Sequence, residues 1–343
     1  ATPGFLPVTH PLADQGELTI AGEPVLVRHS PSDSDDSINF FFLNTQVCVH
    51  NTVWPVLFNV FAIRGEEYRD PRVLIPGIDN IIAWAPEHLV ATHGPPLSGR
   101  DRIRETSERY RDSLQFLWDQ TVRGINKGWT MDEVASRVAL PELYDQDHRT
   151  SERYGVGEHH VRQIYAGLRG WFDGEESKLF PPPPEERFEK LIAGFGGRGE
   201  VAKQATAAFD ADDVRWGMEL ATWLARSTEA TAADRELLAR GLRLIAERTP
   251  AANIRNWAIT RARHLDGQTP MDRFMKHSFG ARTIASVSST DLIHTLRVLL
   301  DPARAEGLRA HVRFMVDGES TGLLLRNCVA VPTDGKNAAV EVA

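Results

Sequence analysis

The chain has 343 residues, 42% of them hydrophobic and 25% charged, and a formal net charge of −8. That length asks for two or three domains, and the acidic balance argues against a nucleic-acid or anionic-membrane partner. Cys48 and Cys328 are the only cysteines, which excludes a disulfide framework and a zinc ribbon, and the apolar runs are far too short for a membrane span.

Residues 1–103 read as strand-rich. "GELTIAGEPVLVRHS" (16–30) predicts a hairpin with Ala21-Gly22 at the turn. "INFFFLNTQVCVHN" (38–51) predicts a second strand pair around Asn44-Thr45. "PEHLVATHGPP" (86–96) predicts a short strand ending at His93-Gly94, and "GIDNIIAWAPE" (77–87) has helical spacing. The apolar run "FNVFAI" (58–63) reads as a buried strand that empties into Arg64-Gly65. Strands alternating with helices predict an α/β layer.

Residues 104–268 read as all-helical. "GRDRIRETSERYRDSLQFLWDQTVRGINKG" predicts one long amphipathic helix, with an apolar stripe of Ile103, Tyr110, Leu114, Leu117 and Val122 and a stop at Gly128. Thr130 and Glu133 form a capping-box pair before the next helix. The prolines at 181–184 separate it from a run of helix pairs, which resembles a tetratricopeptide-like stack without a strict repeat. Residues 269–343 change pattern again. A helix over "SSTDLIHTLRVLLDPARA" precedes a hairpin with Asp317-Gly318 at its tip.

The chemistry concentrates in four places. Asn59, Arg64 and Arg69 offer a carboxamide and two planar guanidinium forks, which suit a tetrahedral oxyanion. The alternative is a surface loop in which the arginines pair with Glu66, Glu67 or Asp70. His93, at a strand exit on rigid backbone, is either a metal ligand or a satisfied histidine. Asp33, Asp35 and Asp36 in "SPSDSDDS" suit a metal, or form only a polar turn. His159, His160 and Trp171 lie in "YGVGEHHVRQIYAGLRGWFDG", which either contributes to a pocket or caps the following helix.

"NVFAIRGEEYRD" (59–70) resembles the signature of the metallo-β-lactamase-fold alkylsulfatases, and the segments C-terminal to it come in that family's order. "ATHGPPLSG" resembles the last metal-ligand histidine of that family. "YRDSLQFLWDQTVRGINKGWTMDEVASRVALPE" resembles its helical dimerisation domain, and the C-terminal segment the start of its sterol-carrier-protein-like domain. The resemblance implies part of an αββα sandwich over 1–103, a dimerisation domain over 104–268 and a truncated α+β domain over 269–343. It implies a zinc-dependent alkyl sulfate ester hydrolase that forms a homodimer. Asn59, Arg64 and Arg69 would grip the sulfate, His159 would contact it or the leaving oxygen, and Trp171 would wall the pocket. His93 and either Asp33 or Asp36 would bind zinc.

The sequence departs from that pattern in two respects. The family's His-x-His-x-Asp-His motif does not occur, and Asn51 stands where a second acidic ligand is expected. The two-zinc site is therefore expected to be incomplete, and the chain to be an inactive piece of a larger enzyme. The alternatives are hydrolysis of another ester, or a non-catalytic dimerisation module with a decayed metal site. Tyr110, Leu114, Leu117, Ile164 and Leu168, on the helices of residues 104–180, are expected to face a second copy. His160 is expected to point away from a cleft that His159 reaches.

Overall fold

The computed structural model describes residues 8–65, 67–271, 280–316 and 318–342. They form two units, one ending at Thr269 and one beginning at Pro270.

The first unit opens with a six-stranded sheet whose strands lie in chain order. They are β1 (Gln15–Ile20), β2 (Glu23–His29), β3 (Ile38–Phe42), β4 (Val47–His50), β5 (His88–Ala91) and β6 (Leu97–Ser98). The β1–β2 turn uses Ala21 (φ 51°) and Gly22 (φ 83°), the two positive-φ positions that a two-residue hairpin of matched twist requires. All neighbours are antiparallel except β4 and β5, which run parallel with Val49 opposite Val90. A parallel pair needs a crossover, and this one carries α1 (Pro71–Trp84). Asp70 caps α1, its carboxylate accepting from the Arg72 N–H at 2.9 Å.

Val25 and Val27 are buried on one face of the sheet, and register and alternation put the buried Asn39, Phe41, Cys48 and His50 on the other face. Helix α1 lies close to it. Asn39 Nδ2 donates to the Gly77 carbonyl at 2.9 Å, and a Cβ at Gly77 would stand 2.8 Å from the Thr52 methyl. Phe41 stacks on Trp84 with ring centroids 5.5 Å apart.

Helix α2 (Arg100–Asn126) runs for 27 residues. Its predicted stripe is correct at Ile103, Tyr110, Leu114 and Leu117, but these side chains are buried within the chain, as is Ile164. They share one core with Phe41, Ile78, Ile81 and Leu89 of the α/β layer. The expectation that this stripe faces a second copy is therefore corrected: the sheet's own helix layer consumes it, and only Leu168 stays exposed.

Helix α3 (Met131–Arg137) begins at the Thr130–Glu133 capping box. The short α4 (Glu142–Asp145) and α5 (Gly157–Arg169) follow, with α5 packed on α2 and α3. Beyond the prolines come α6 (Pro184–Gly194), α7 (Arg198–Asp210), α8 (Val214–Arg226), α9 (Ala232–Arg248) and α10 (Ala252–Leu265), each of the last four packed on its chain neighbour. Phe209 sits where Cβ atoms at Gly217 and Gly241 would each come within 2.5 Å of its ring. Small residues there let α7, α8 and α9 close on one aromatic.

The second unit has a four-stranded sheet in the order β10–β7–β8–β9. These are β7 (Ala310–Val316), β8 (Glu319–Arg326), β9 (Val329–Thr333) and β10 (Val340–Val342). Strand β10 is parallel to β7, and the other pairs are antiparallel. The expected β7–β8 hairpin is present; Asp317 at its tip lies outside the described residues.

Candidate functional site

The run 58–63 is not a strand. Between β4 and α1 the chain forms an irregular buried loop in which Leu57, Phe58, Asn59, Val60 and Ala62 are buried. Two of its backbone carbonyls are met by side chains instead of a ladder. The Tyr110 hydroxyl donates to the Val56 carbonyl at 3.1 Å. Arg69 Nη1 donates to the Asn59 carbonyl at 3.0 Å, and its Nη2 to the Asp33 carbonyl at 3.2 Å. The guanidinium also lies 5.3 Å from the Phe58 ring centroid. Arg69 thus clamps the Asn59 loop to the Asp33 loop.

Asp33 is the acidic residue that meets His93. One carboxylate oxygen lies 3.9 Å from His93 Nε2, and the other accepts from Asn51 Nδ2. Asn51 Oδ1 in turn accepts from the Thr92 hydroxyl. His93 is held against Trp54, with centroids 4.2 Å apart, and the Trp54 Nε1–H donates to the Asn51 carbonyl at 2.9 Å. After His93 the chain turns at Gly94 (φ +85°), where a Cβ would stand 2.8 Å from Pro55. Asp36 instead accepts from the Ser34 hydroxyl, so of the two aspartates weighed from the sequence the geometry favours Asp33.

Asp33, Arg69 and Tyr68 line a cleft of about 380 Å³ between the acidic loop and the start of α1. Arg64 is elsewhere. It lines a separate cleft of about 250 Å³ with Ile63 and with Asn253, Asn256 and Trp257 of α10. The expected convergence of Arg64 and Arg69 on one cleft is corrected by this division. They are five residues apart, and Arg64 sits within the Ala62–Gly65 turn, closed by a 2.8 Å bond. Of the acids first set against these arginines, Asp70 is engaged by Arg72 at 2.6 Å, and Glu66 lies outside the described residues.

Both histidines of α5 turn toward the loop. His159 meets Phe61 edge-on at 6.5 Å, and burial holds its pKa below the usual imidazole range. His160 does not point away as expected. It is fully buried, its pKa lowered to about 3 by burial, and it sits beside Asn59. Around Gly155, His160 Nε2 and Asn59 Oδ1 lie 2.7 and 2.9 Å from where a Cβ would stand. Adjacent helical side chains diverge, so the two rings meet different parts of the loop, His159 at Phe61 and His160 at Asn59, but the sequence reading chose the wrong one to face outward. The apolar phase of Val161, Ile164 and Tyr165 was the available signal, because His160 stands four residues before Ile164.

Trp171 was expected to wall a pocket. It is 70% exposed and packs on Phe172, with centroids 5.4 Å apart, because the Gly170 turn carries it off the end of α5. His50 adds a buried imidazole beneath His93. Its Nδ1 accepts from the backbone N–H of Thr52 at 3.1 Å and Val53 at 3.2 Å, and burial lowers its pKa to about 3. Among the described residues no three or more His, Cys, Asp or Glu side chains are grouped to hold a metal ion. No described helix is long and apolar enough to cross a membrane.

A strand layer followed by this helical stack defines the chain as alkylsulfatase-like in fold. The solved structure of the stereoselective inverting sec-alkylsulfatase Pisa1 from Pseudomonas sp. matches it with a TM-score of 0.82 at 24% identity, covering 96% of this chain and 54% of that one. Residues 130–268 match the family described as alkyl sulfatase dimerisation. The linear primary-alkylsulfatase of Pseudomonas sp. (strain ATCC 19151) is 35% identical over 295 residues, 85% of this chain and 56% of that protein. The alkyl/aryl-sulfatase BDS1 of Saccharomyces cerevisiae is 27% identical over 327 residues, 93% of this chain and 50% of that protein. The chain is similar to these alkylsulfatases, matches the alkyl sulfatase dimerisation family over residues 130–268, and spans about half the length of the curated relatives it matches.

Proposed function

We propose that this chain supplies the sulfate-binding side and part of the metal site of a zinc-dependent alkyl sulfate ester hydrolase. The observation that carries the reading is the placement of Asp33, His93 and Arg69 at one locus, with the Asp33 carboxylate 3.9 Å from the His93 ring. In this reading residues 1–103 are the C-terminal half of a metallo-β-lactamase-like domain. Residues 104–268 form the dimerisation domain of a homodimer, and 269–343 belong to a sterol-carrier-protein-like domain.

The donor set fits zinc in part. Asp33 and His93 offer one carboxylate oxygen and one imidazole nitrogen, whereas a catalytic zinc takes three protein ligands. Asn51 is a poor further ligand, because it is neutral and its amide oxygen already accepts from the Thr92 hydroxyl. Zinc bound there would act as a Lewis acid on the ester. The chain's own residues bind and orient it. Arg69, on the wall of the Asp33 cleft, brings a guanidinium charge to the sulfate oxygens, and the Asn59 carboxamide adds a donor. His159 is kept neutral at neutral pH by burial, so it serves the departing oxygen as a hydrogen-bond donor.

The test is release of inorganic sulfate from a linear primary and a secondary alkyl sulfate by the gene product that contains this chain, with zinc supplied. Turnover that falls at least a hundredfold in His93→Ala and Asp33→Ala is expected, for roughly 3 kcal/mol of lost transition-state stabilisation each. Cleavage of carboxylic or phosphate esters but no alkyl sulfate would move the protein to another ester. Turnover of none of them would favour a non-catalytic dimerisation module.

A further inference from the structure

Two polar side chains are fully buried without partners at the loop–α5 contact. His160 is 0% and Asn59 1% exposed. Neither ring nitrogen of His160 nor Asn59 Oδ1 has a hydrogen-bond partner among the described residues. An orphaned buried acceptor or donor costs roughly 1–3 kcal/mol, so three such atoms in one place ask for an explanation.

Gly155 supplies it. His160 Nε2 and Asn59 Oδ1 both lie within 2.9 Å of the point where a Cβ on Gly155 would stand. They therefore face one notch from two sides, near enough for a slight ring rotation or one bridging water to join them. Gly155 is absent from the positive-φ glycines, so its backbone does not require glycine. The notch does: a methyl there would sit 2.5 Å from His160 Cε1. An imidazole held neutral has one N–H and one bare nitrogen, and the amide has a carbonyl end and an NH2 end. Two arrangements are self-consistent. Either Nε2–H faces the amide oxygen, or bare Nε2 faces the amide NH2.

We propose that His160 is the positioning residue for Asn59: its Nε2–H donates to Asn59 Oδ1 over Gly155, directly or through one water, and so reserves the Asn59 NH2 for the sulfate oxygens. This rests on the reading of Asn59 as a sulfate donor. With the amide fixed in that sense, an oxyanion meets a preformed donor. With the amide reversed it meets a carbonyl oxygen, which repels it.

The experiment is nitrogen-15 NMR of the histidine rings, with calorimetric titration of decyl sulfate, on the wild type, His160→Leu, His160→Gln and Asn59→Asp. The His160 ring is expected to be the Nε2–H tautomer, with its Nε2–H shift moved by Asn59→Asp. A proton on Nδ1 would overturn the proposal. His160→Leu is expected to weaken decyl sulfate binding about tenfold. His160→Gln, whose side-chain amide places a donor near the same point, should recover most of that loss. Equal affinity of His160→Leu and wild type would overturn the proposal and leave the sulfate site standing. If the wild type binds no decyl sulfate, the sulfate-donor reading of Asn59 fails, and His160 has no anion site to position.

Discussion

Replacing Arg69 by alanine separates a clamp from a ligand. The side chain gives two hydrogen bonds to backbone carbonyls, Asn59 at 3.0 Å and Asp33 at 3.2 Å, and covers Phe58. A hydrogen bond from a charged donor contributes about 1.5–3 kcal/mol in a buried setting. The bond to Asn59 is partly buried and the one to Asp33 is exposed, so their sum is set at roughly 2–3 kcal/mol, with the second near the surface value. Arg69→Ala should therefore lower the denaturation free energy of the first unit by about that much, read from urea unfolding by tryptophan fluorescence. It should also loosen amide-exchange protection in residues 57–65. Arg69→Lys keeps the charge but not the fork, so it should recover some anion affinity while leaving the loop as loose as in the alanine variant. An Arg69→Ala protein with unchanged exchange in the loop would refute the clamp, because two carbonyls would then have lost their donors without effect.

The buried histidines set the response to acid. His50 and His160 have pKa values lowered to about 3 in the folded chain, so between that value and the unfolded value of about 6.5 the unfolded state binds more protons and stability falls as pH falls. Each should cost about 2 kcal/mol between pH 7 and pH 5, and His160→Gln should flatten the profile measured by urea unfolding across that range. Gly217→Ala should destabilise the stack by about 1–3 kcal/mol through overpacking against Phe209, seen as a lower midpoint in thermal unfolding. A dimer is expected by light scattering at micromolar concentration. Because the α2 stripe is internal, Leu114→Ala should lower stability by about 2–5 kcal/mol and leave the dimer's dissociation constant unchanged.

Local chemistry was readable from the sequence where one signal dominated. Ala21-Gly22 marked a hairpin, Thr130 and Glu133 a helix start, and the three-to-four spacing through Leu117 a long helix, because each acts within a few residues. The 58–63 run misled for a physical reason. Apolar residues in a row report burial, not strand geometry, when distant side chains such as Tyr110 and Arg69 satisfy the backbone. The division of Arg64 from Arg69 depends on a turn whose closing bond leaves no pattern in the residue types. Asp33 and His93 were legible as candidates; that Asp33 and not Asp36 meets His93 follows from the pairing of β4 with β5, which puts Asn51 and Thr92 side by side. The inward His160 turns on helix phase, where one residue changes a side chain's surroundings completely, and the outward Trp171 on the Gly170 turn that ends α5.

The single core shared by α2 and the sheet has a consequence for the order in which the chain can be made. The change in sequence pattern near residue 103 marks a shift in composition without marking a unit that stands by itself. A polypeptide released at that point would leave Phe41, Ile78, Ile81 and Leu89 facing water, and the Val56 carbonyl without the Tyr110 hydroxyl. During synthesis the strands must wait, collapsed but unfinished, until the helix that roofs them has emerged. Two regions that look like separate modules along the chain are thus obliged to be translated, and inherited, together.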